Sequence, residues 1–113
     1  NIMDNSLKES LDHANKMKVF NNQLRLLKEK YLERNIYFTI GHQFTIDLKL
    51  INYCITLKNQ NKIKDVIMLD DYDLPVRIDD LQSFYDNIMD LYQQNLNAYI
   101  VEYNKLVQDK GRI

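Results

Sequence analysis

The sequence predicts an α+β domain in helix–hairpin–helix–hairpin–helix order, with one small antiparallel sheet and two long helices packed antiparallel. Three observations carry that prediction. Apolar residues recur at steps of three and four over long stretches at both ends of the chain, the middle holds two pairs of short β-rich runs, and the turn within each pair is too short for a crossover helix. With 113 residues, two Gly and one Pro, the chain has the size of one domain and few places to turn, so its elements are long. We take residues 3–113 as that domain and Asn1-Ile2, ahead of Met3, as an expression remnant.

The first helix spans Asn5 to about Arg34, on a stripe of Leu7, Leu11, Ala14, Met17, Phe20, Leu24, Leu27 and Tyr31. Asn5 or Ser6 serves as its N-cap, with Glu9 completing a capping box with Ser6. After Asn35, the runs Ile36 to Ile40 and Gln43 to Ile46 form a hairpin, with Gly41-His42 as a type II′ turn. Asp47 then caps a helix from Leu48 to about Gln60, whose apolar face is Leu48, Ile51 and Ile55, with Cys54 and Leu57 beside it. Val66 to Leu69 and Leu74 to Ile78 make a second hairpin around Asp70-Asp71-Tyr72-Asp73, with Pro75 marking a sheet edge. Asp79 caps the last helix, which runs from about Asp80 to Lys110 and ends at Gly111. The expected core includes Phe38, Ile40, Phe44, Ile55, Ile67, Phe84 and Ile88.

Chemistry-bearing residues are scarce. Cys54 is the only cysteine, and it sits on an apolar helical face, while His13 and His42 are placed as solvated residues with no third group to orient either as a base. Neither their spacing nor the acidic turn, which lacks the Gly and terminal Glu of a calcium loop, matches a metal site. With two glycines no phosphate-cradling loop can be built. The expectation is therefore a protein that is not an enzyme and carries no cofactor and no metal.

Fifteen basic and sixteen acidic residues leave a net charge of −1, so no bulk charge draws the chain to nucleic acid or an anionic membrane. Locally the balance is uneven. Residues 1–64 carry eleven basic and six acidic side chains, and residues 65–113 carry four and ten, so the halves stand at +5 and −6 and attract each other. The lysines and arginines of the first helix could follow a phosphate backbone, but pairing with the acidic half is the simpler account, and nucleic acid is disfavoured as a partner. No run of apolar residues reaches membrane-spanning length, and Lys8, Glu9, Asp12, Lys16 and Lys18 occupy the place of a signal-peptide core. A lone cysteine fits a reducing compartment, so the expected location is the cytoplasm.

Tyr85, Tyr92 and Tyr99 recur every seven residues on the last helix, as a seam with the first helix or as an oligomer contact, the seam being favoured. Both long helices outrun what a small sheet can cover. Leu7, Leu11, Tyr92, Tyr99, Tyr103 and Leu106 are thus the candidate protein interface, and the chain is expected to form a homo-oligomer in which two helical ribbons complete a four-helix bundle.

The order of features resembles an uncharacterised domain of tailed-phage tail-fibre and tail-fibre-assembly proteins. Gly41, Phe44 and Asp47 match its Gly-x-x-aromatic-x-x-Asp motif, residues 66–78 stand where its second hairpin belongs, Asp80-Leu81 match the opening of its last helix, and Tyr103 and Leu106 stand at its close. The chain departs from the pattern at Ile67 and Met68, where that domain often has Trp, and in lacking Leu-Thr before the last helix. The resemblance, over about residues 24–108, implies a role in virion assembly through binding of virion tail proteins, in the host cytoplasm or the virion. The alternative is a small phage or bacterial regulatory protein that blocks a host factor such as a nuclease by surface contact.

Overall fold

The computed structural model describes residues 2–111, and side chains over residues 4–109. The chain is α+β: α1 (Ile2–Arg34), β1 (Ile36–Thr39), β2 (His42–Thr45), α2 (Leu48–Asn59), β3 (Lys64–Leu69), β4 (Pro75–Asp80) and α3 (Leu81–Gly111). The two hairpins do not merge. β1 pairs only with β2 and β3 only with β4, giving two separate two-stranded antiparallel sheets in place of the single sheet expected. They share one core because α2 and the first half of α3 cover both.

That core is Phe44 and Ile46 from β2, Ile51, Cys54 and Leu57 from α2, Val66, Met68, Val76 and Ile78 from the second hairpin, and Leu81, Phe84 and Ile88 from α3. Phe84 is the hub, with ring centroids 5.2 Å from Phe44 and 5.7 Å from Tyr37 in edge-on geometry. Strand alternation turns Tyr37 and Phe44 inward and leaves Phe38 exposed, and the same period buries Val66 and Met68 while exposing Ile67. Phe38, Ile40, Ile55 and Ile67 are therefore not core. In an unbroken run such as Val66 to Leu69 the period-two signal is missing from the sequence, and only the register supplies it. On α2 the buried face is Ile51, Cys54 and Leu57, with Leu48 and Ile55 exposed on its flanks.

Local signals also shift. Asp47 caps α2 through a 2.8 Å bond accepted from the Leu50 N–H, as expected. For α3 the cap is Asp80, not Asp79: its Oδ1 accepts from the Gln82 and Ser83 N–H groups and its Oδ2 from the Ser83 hydroxyl. That hold keeps the Asp80 carboxyl below its ordinary range, the Ser83 hydroxyl being the largest cause. Asn5 and Ser6 lie inside α1, which begins at Ile2, so neither is its cap. The remnant expected at Asn1-Ile2 falls partly on Asn1, outside the described residues, while Ile2 is already helical. The first hairpin turns on Ile40 and Gly41, at φ 53° and 76°, which is the pattern of a type I′ turn. His42 is therefore the first residue of β2, not part of the turn.

α1 and α3 pack along each other as an arm leaving the core, and the molecule is 75 Å long and 24 Å across. Their contacts climb α3 as they descend α1, so the two helices run in opposite directions. Asn95 meets Arg34 and Asn35, the Tyr99 and Tyr31 rings lie 4.6 Å apart, and Glu102 pairs with Lys30 and Arg34 at 3.1 and 3.5 Å. Nearer the free end, Leu106 faces Phe20 across a groove. No helix among the described residues is long and apolar enough to cross a membrane.

Candidate functional site

Three places gather the residues of interest. The first is the junction between the hairpins. Asp70 closes the turn of the second hairpin: its Oδ1 accepts from the Tyr72 and Leu74 N–H groups at 2.8 and 2.9 Å, and its Oδ2 lies 2.7 Å from His42 Nδ1. The carboxyl is 2% exposed and is held below its ordinary range, chiefly by the His42 hydrogen bond and then by the two backbone donors, against the opposing effect of burial. An ionised carboxylate only accepts, so the shared proton sits on Nδ1. His42 is half-buried and partnered rather than solvated, and Asp70 is buried. Only part of the acidic run is a solvated turn.

Asp71 adds a second stitch. Its N–H donates to the Gln43 carbonyl at 2.9 Å, and its carboxylate accepts from the Thr45 N–H and hydroxyl, both at 2.8 Å, and from the Gln43 amide at 2.9 Å. One aspartate thus occupies the outer edge of β2 as a neighbouring strand would. The sequence offered no signal for this, because the pairing joins residues 26 and 28 positions apart.

The second place is a cleft beside that junction. It has a volume of about 680 Å³ and lies between α2 and β3, with Tyr53, Ile67 and Leu69 exposed in it and Asp47, Asp71 and Asp73 at one end. A continuation of about 630 Å³ follows β3 back to Lys62 and Lys64, sharing Tyr53 and Ile67. Sequence reasoning missed it, since it counted Ile67 toward the core.

The third is the arm. Of the expected interface residues, Tyr92, Tyr99 and Leu106 are half-buried in the chain's own α1–α3 seam, so they are not free surface. Tyr92 shares a hydrogen bond with Tyr31, and burial, followed by that bond, pushes its hydroxyl pKa up. Tyr103, Leu7 and Leu11 are exposed, the last two at 56–61%. At about 100° per residue, Leu7 and Leu11 lie about 140° around the helix from the Met17, Phe20, Leu24, Leu27 and Tyr31 stripe that meets α3. They do not close on Tyr103 and Leu106. Asn15 and Lys16 share a groove with Asp109, and residues 4–14 of α1 lie beyond that groove with every side chain exposed.

The structure does not bring the reactive residues together. Cys54 is fully buried in α2, where desolvation, only partly offset by Lys58, pushes its thiol pKa up to about 11 and keeps it protonated at neutral pH. His13 is exposed on α1, and the partner of His42 is Asp70. Among the described residues no three His, Cys, Asp or Glu side chains are grouped so as to hold a metal ion. Five of the residues that carry the tail-fibre resemblance have positions that serve the fold: Gly41 in a left-handed turn, Phe44 and Leu81 in the core, and Asp47 and Asp80 as helix caps. Compared with family models, curated proteins and solved structures, the chain matches none.

Proposed function

We propose that this chain is a non-enzymatic binding protein that serves as a structural or assembly component of a phage tail or tail fibre, and that its arm joins the arm of a second copy. The observation that carries the binding reading is the arm itself. It holds large apolar side chains outside its own seam: Leu7, Leu11, Val19 and Leu26 on α1, and Ile100, Tyr103 and Val107 on α3. Ile100, Tyr103 and Val107 fall on one α3 stripe next to the seam, at about 100° per residue. Val19 lines an apolar groove of about 310 Å³ between the two helices. A two-helix ribbon leaves such stripes half-covered, and a second ribbon covers them.

The tail assignment itself rests on the sequence resemblance, and mass spectrometry of purified virions tests it. Sedimentation equilibrium tests the association: a species heavier than the 13.6 kDa chain is expected, reverting to monomer on Val19→Glu with Ile100→Glu. A monomer at all micromolar concentrations would remove the paired-arm reading.

One observation favours the alternative, a regulator that blocks a host factor such as a nuclease. Residues 65–90 carry eight aspartates and one basic residue, Arg77, a charge density suited to a surface that normally meets a phosphate backbone. Expression from early rather than tail genes, and inhibition of a nuclease by the purified chain, would select it.

A further inference from the structure

We propose that the cleft between α2 and β3 binds an extended peptide of a partner protein, which adds to β3 as an antiparallel strand with a basic residue toward its N-terminal end and an acidic one toward its C-terminal end. The proposal shares with the assembly reading only the premise that the chain binds protein, and it does not depend on the arm.

The backbone of β3 is open on the side away from β4. The Asp70 N–H donates to the Leu74 carbonyl, which makes Asp70 and Leu74 a hydrogen-bonded pair. Alternation along an antiparallel ladder then assigns Met68 and Val66 to β4, and it turns the N–H and C=O of Ile67 and Leu69 outward. Among the described residues no other element pairs with that edge. The outer edge of β2, only a turn away, is already filled by Asp71. Of these two neighbouring edges, β3 is the one left to receive a strand.

The cleft follows this edge. Every residue from 63 to 71 lines one of its two halves, inward-facing Val66 and Met68 as well as outward-facing Ile67 and Leu69. A depression over one face of a strand would be lined by alternate residues only. Lining by all of them places the opening beside the backbone, where a guest strand sits about 4.8 Å away. Tyr53 on α2 and Ile67 and Leu69 on β3 offer apolar contact to the guest's side chains.

Charge sets the guest's direction. Asp47, Asp71 and Asp73 against Lys49 leave one end negative, and Lys62 and Lys64 against Asp65 leave the other positive. β3 runs from the lysines toward the aspartates. An antiparallel guest therefore starts at the aspartates and finishes at the lysines, so its own chain direction and its charges agree with the cleft.

The probe is the acetylated, amidated peptide Lys-Thr-Val-Thr-Val-Thr-Glu, titrated into the uniformly nitrogen-15-labelled full chain and followed by amide chemical shifts. Saturable shifts at Ile67 and Leu69 are expected. Binding should weaken by about tenfold or more when the peptide's strand-pairing amides are N-methylated, when its Lys is replaced by Glu, and in Ile67→Pro, which removes an outward N–H without breaking the β3–β4 ladder. If Ile67→Pro fails to fold, the N-methylated peptide makes the same test on the unaltered chain. No saturable shift at millimolar peptide, equal binding of the N-methylated peptide, or shifts confined to the arm would overturn the proposal. Sedimentation of the same samples reports on the arm separately, so failure of one reading is not failure of the other.

Discussion

Ile88 and Leu26 are both aliphatic residues on long helices, yet Ile88 has no exposed surface and Leu26 keeps about half of its own. The difference is between two ways of holding helices in place. At the hairpin end, α3 lies on a core sealed on several sides, and its position follows from apolar burial. Along the arm only α1 covers it, Leu27 is the one buried apolar side chain of α1 among the described residues, and the register is set by polar fittings. Asn95 donates to the Arg34 carbonyl and to the Asn35 side chain, Glu102 lies between Lys30 and Arg34, and Tyr31 meets Tyr92 and Tyr99. Burial by itself does not choose a register, whereas directed hydrogen bonds do.

Phe84→Ala strikes the first mode and should have the largest effect. It removes the ring that both Tyr37 and Phe44 approach edge-on, and a cost of about 3–5 kcal/mol is expected in urea unfolding. Leu26→Ala on the arm should stay within about 0.5 kcal/mol at concentrations where the chain is monomeric. Comparable losses at the two sites would erase the distinction between core and arm.

Asn95→Ala tests the second mode. The Arg34 carbonyl ends α1 without an intrahelical partner, and Asn35 is 3% exposed, so removing their shared donor leaves both unsatisfied at a cost of about 1–3 kcal/mol. Hydrogen exchange should quicken at Ile46, just past β2, because its N–H donates to the Asn35 carbonyl at 2.7 Å. A loss spread evenly along α1 would show that Asn95 has no special part in the register.

Acid separates the regions in another way. The folded Asp70 carboxyl is held below its unfolded value of about 3.9, so it contributes stability above that pH. The contribution fades as pH falls through the lower folded value. His42→Gln removes the largest cause of the lowering, and acid unfolding followed by circular dichroism should begin at a higher pH than in the unaltered chain. Glu102 in the arm is lowered in the same direction by Lys30, but its pairs are part-exposed and should weaken in molar salt, while the enclosed Asp70 contact should persist. Equal salt sensitivity of the two would contradict this contrast.

Legibility in the sequence divides along the same line. The long helices, the Asp47 cap, the two hairpins and the seam role of Tyr99 are local or periodic signals, and each can be read from spacing. The separation of the two sheets cannot be, because it depends on Asp71 reaching Gln43 and Thr45 across the fold. The cleft was hidden for a related reason. Ile67 is apolar in an unbroken apolar run, and only the pairing of Met68 with Val76 and Val66 with Ile78 fixes which side it faces. The exposure of Leu7 and Leu11 follows from angular drift along α1, a small offset per turn that a list of apolar positions conceals.

The smallest expected effect is a gain, and it concerns the tip of the first hairpin. Ile40 sits at φ 53° with its side chain 70% exposed, so a β-branched residue holds a left-handed conformation with little burial in return. Its neighbour Gly41, at φ 76°, takes the second turn position without strain. Asn-Gly is the favoured pair for a type I′ turn, because Asn tolerates positive φ far better than Ile. Ile40→Asn should therefore stabilise the chain by up to about 1 kcal/mol, read as a higher urea midpoint with an unchanged slope. A type II′ turn centred on Gly41 and His42, the geometry the sequence suggests, would leave Ile40 in the strand with a negative φ. The same substitution would then remove a good strand former for a poor one and lower the midpoint, so the sign of this one change decides between the two turns.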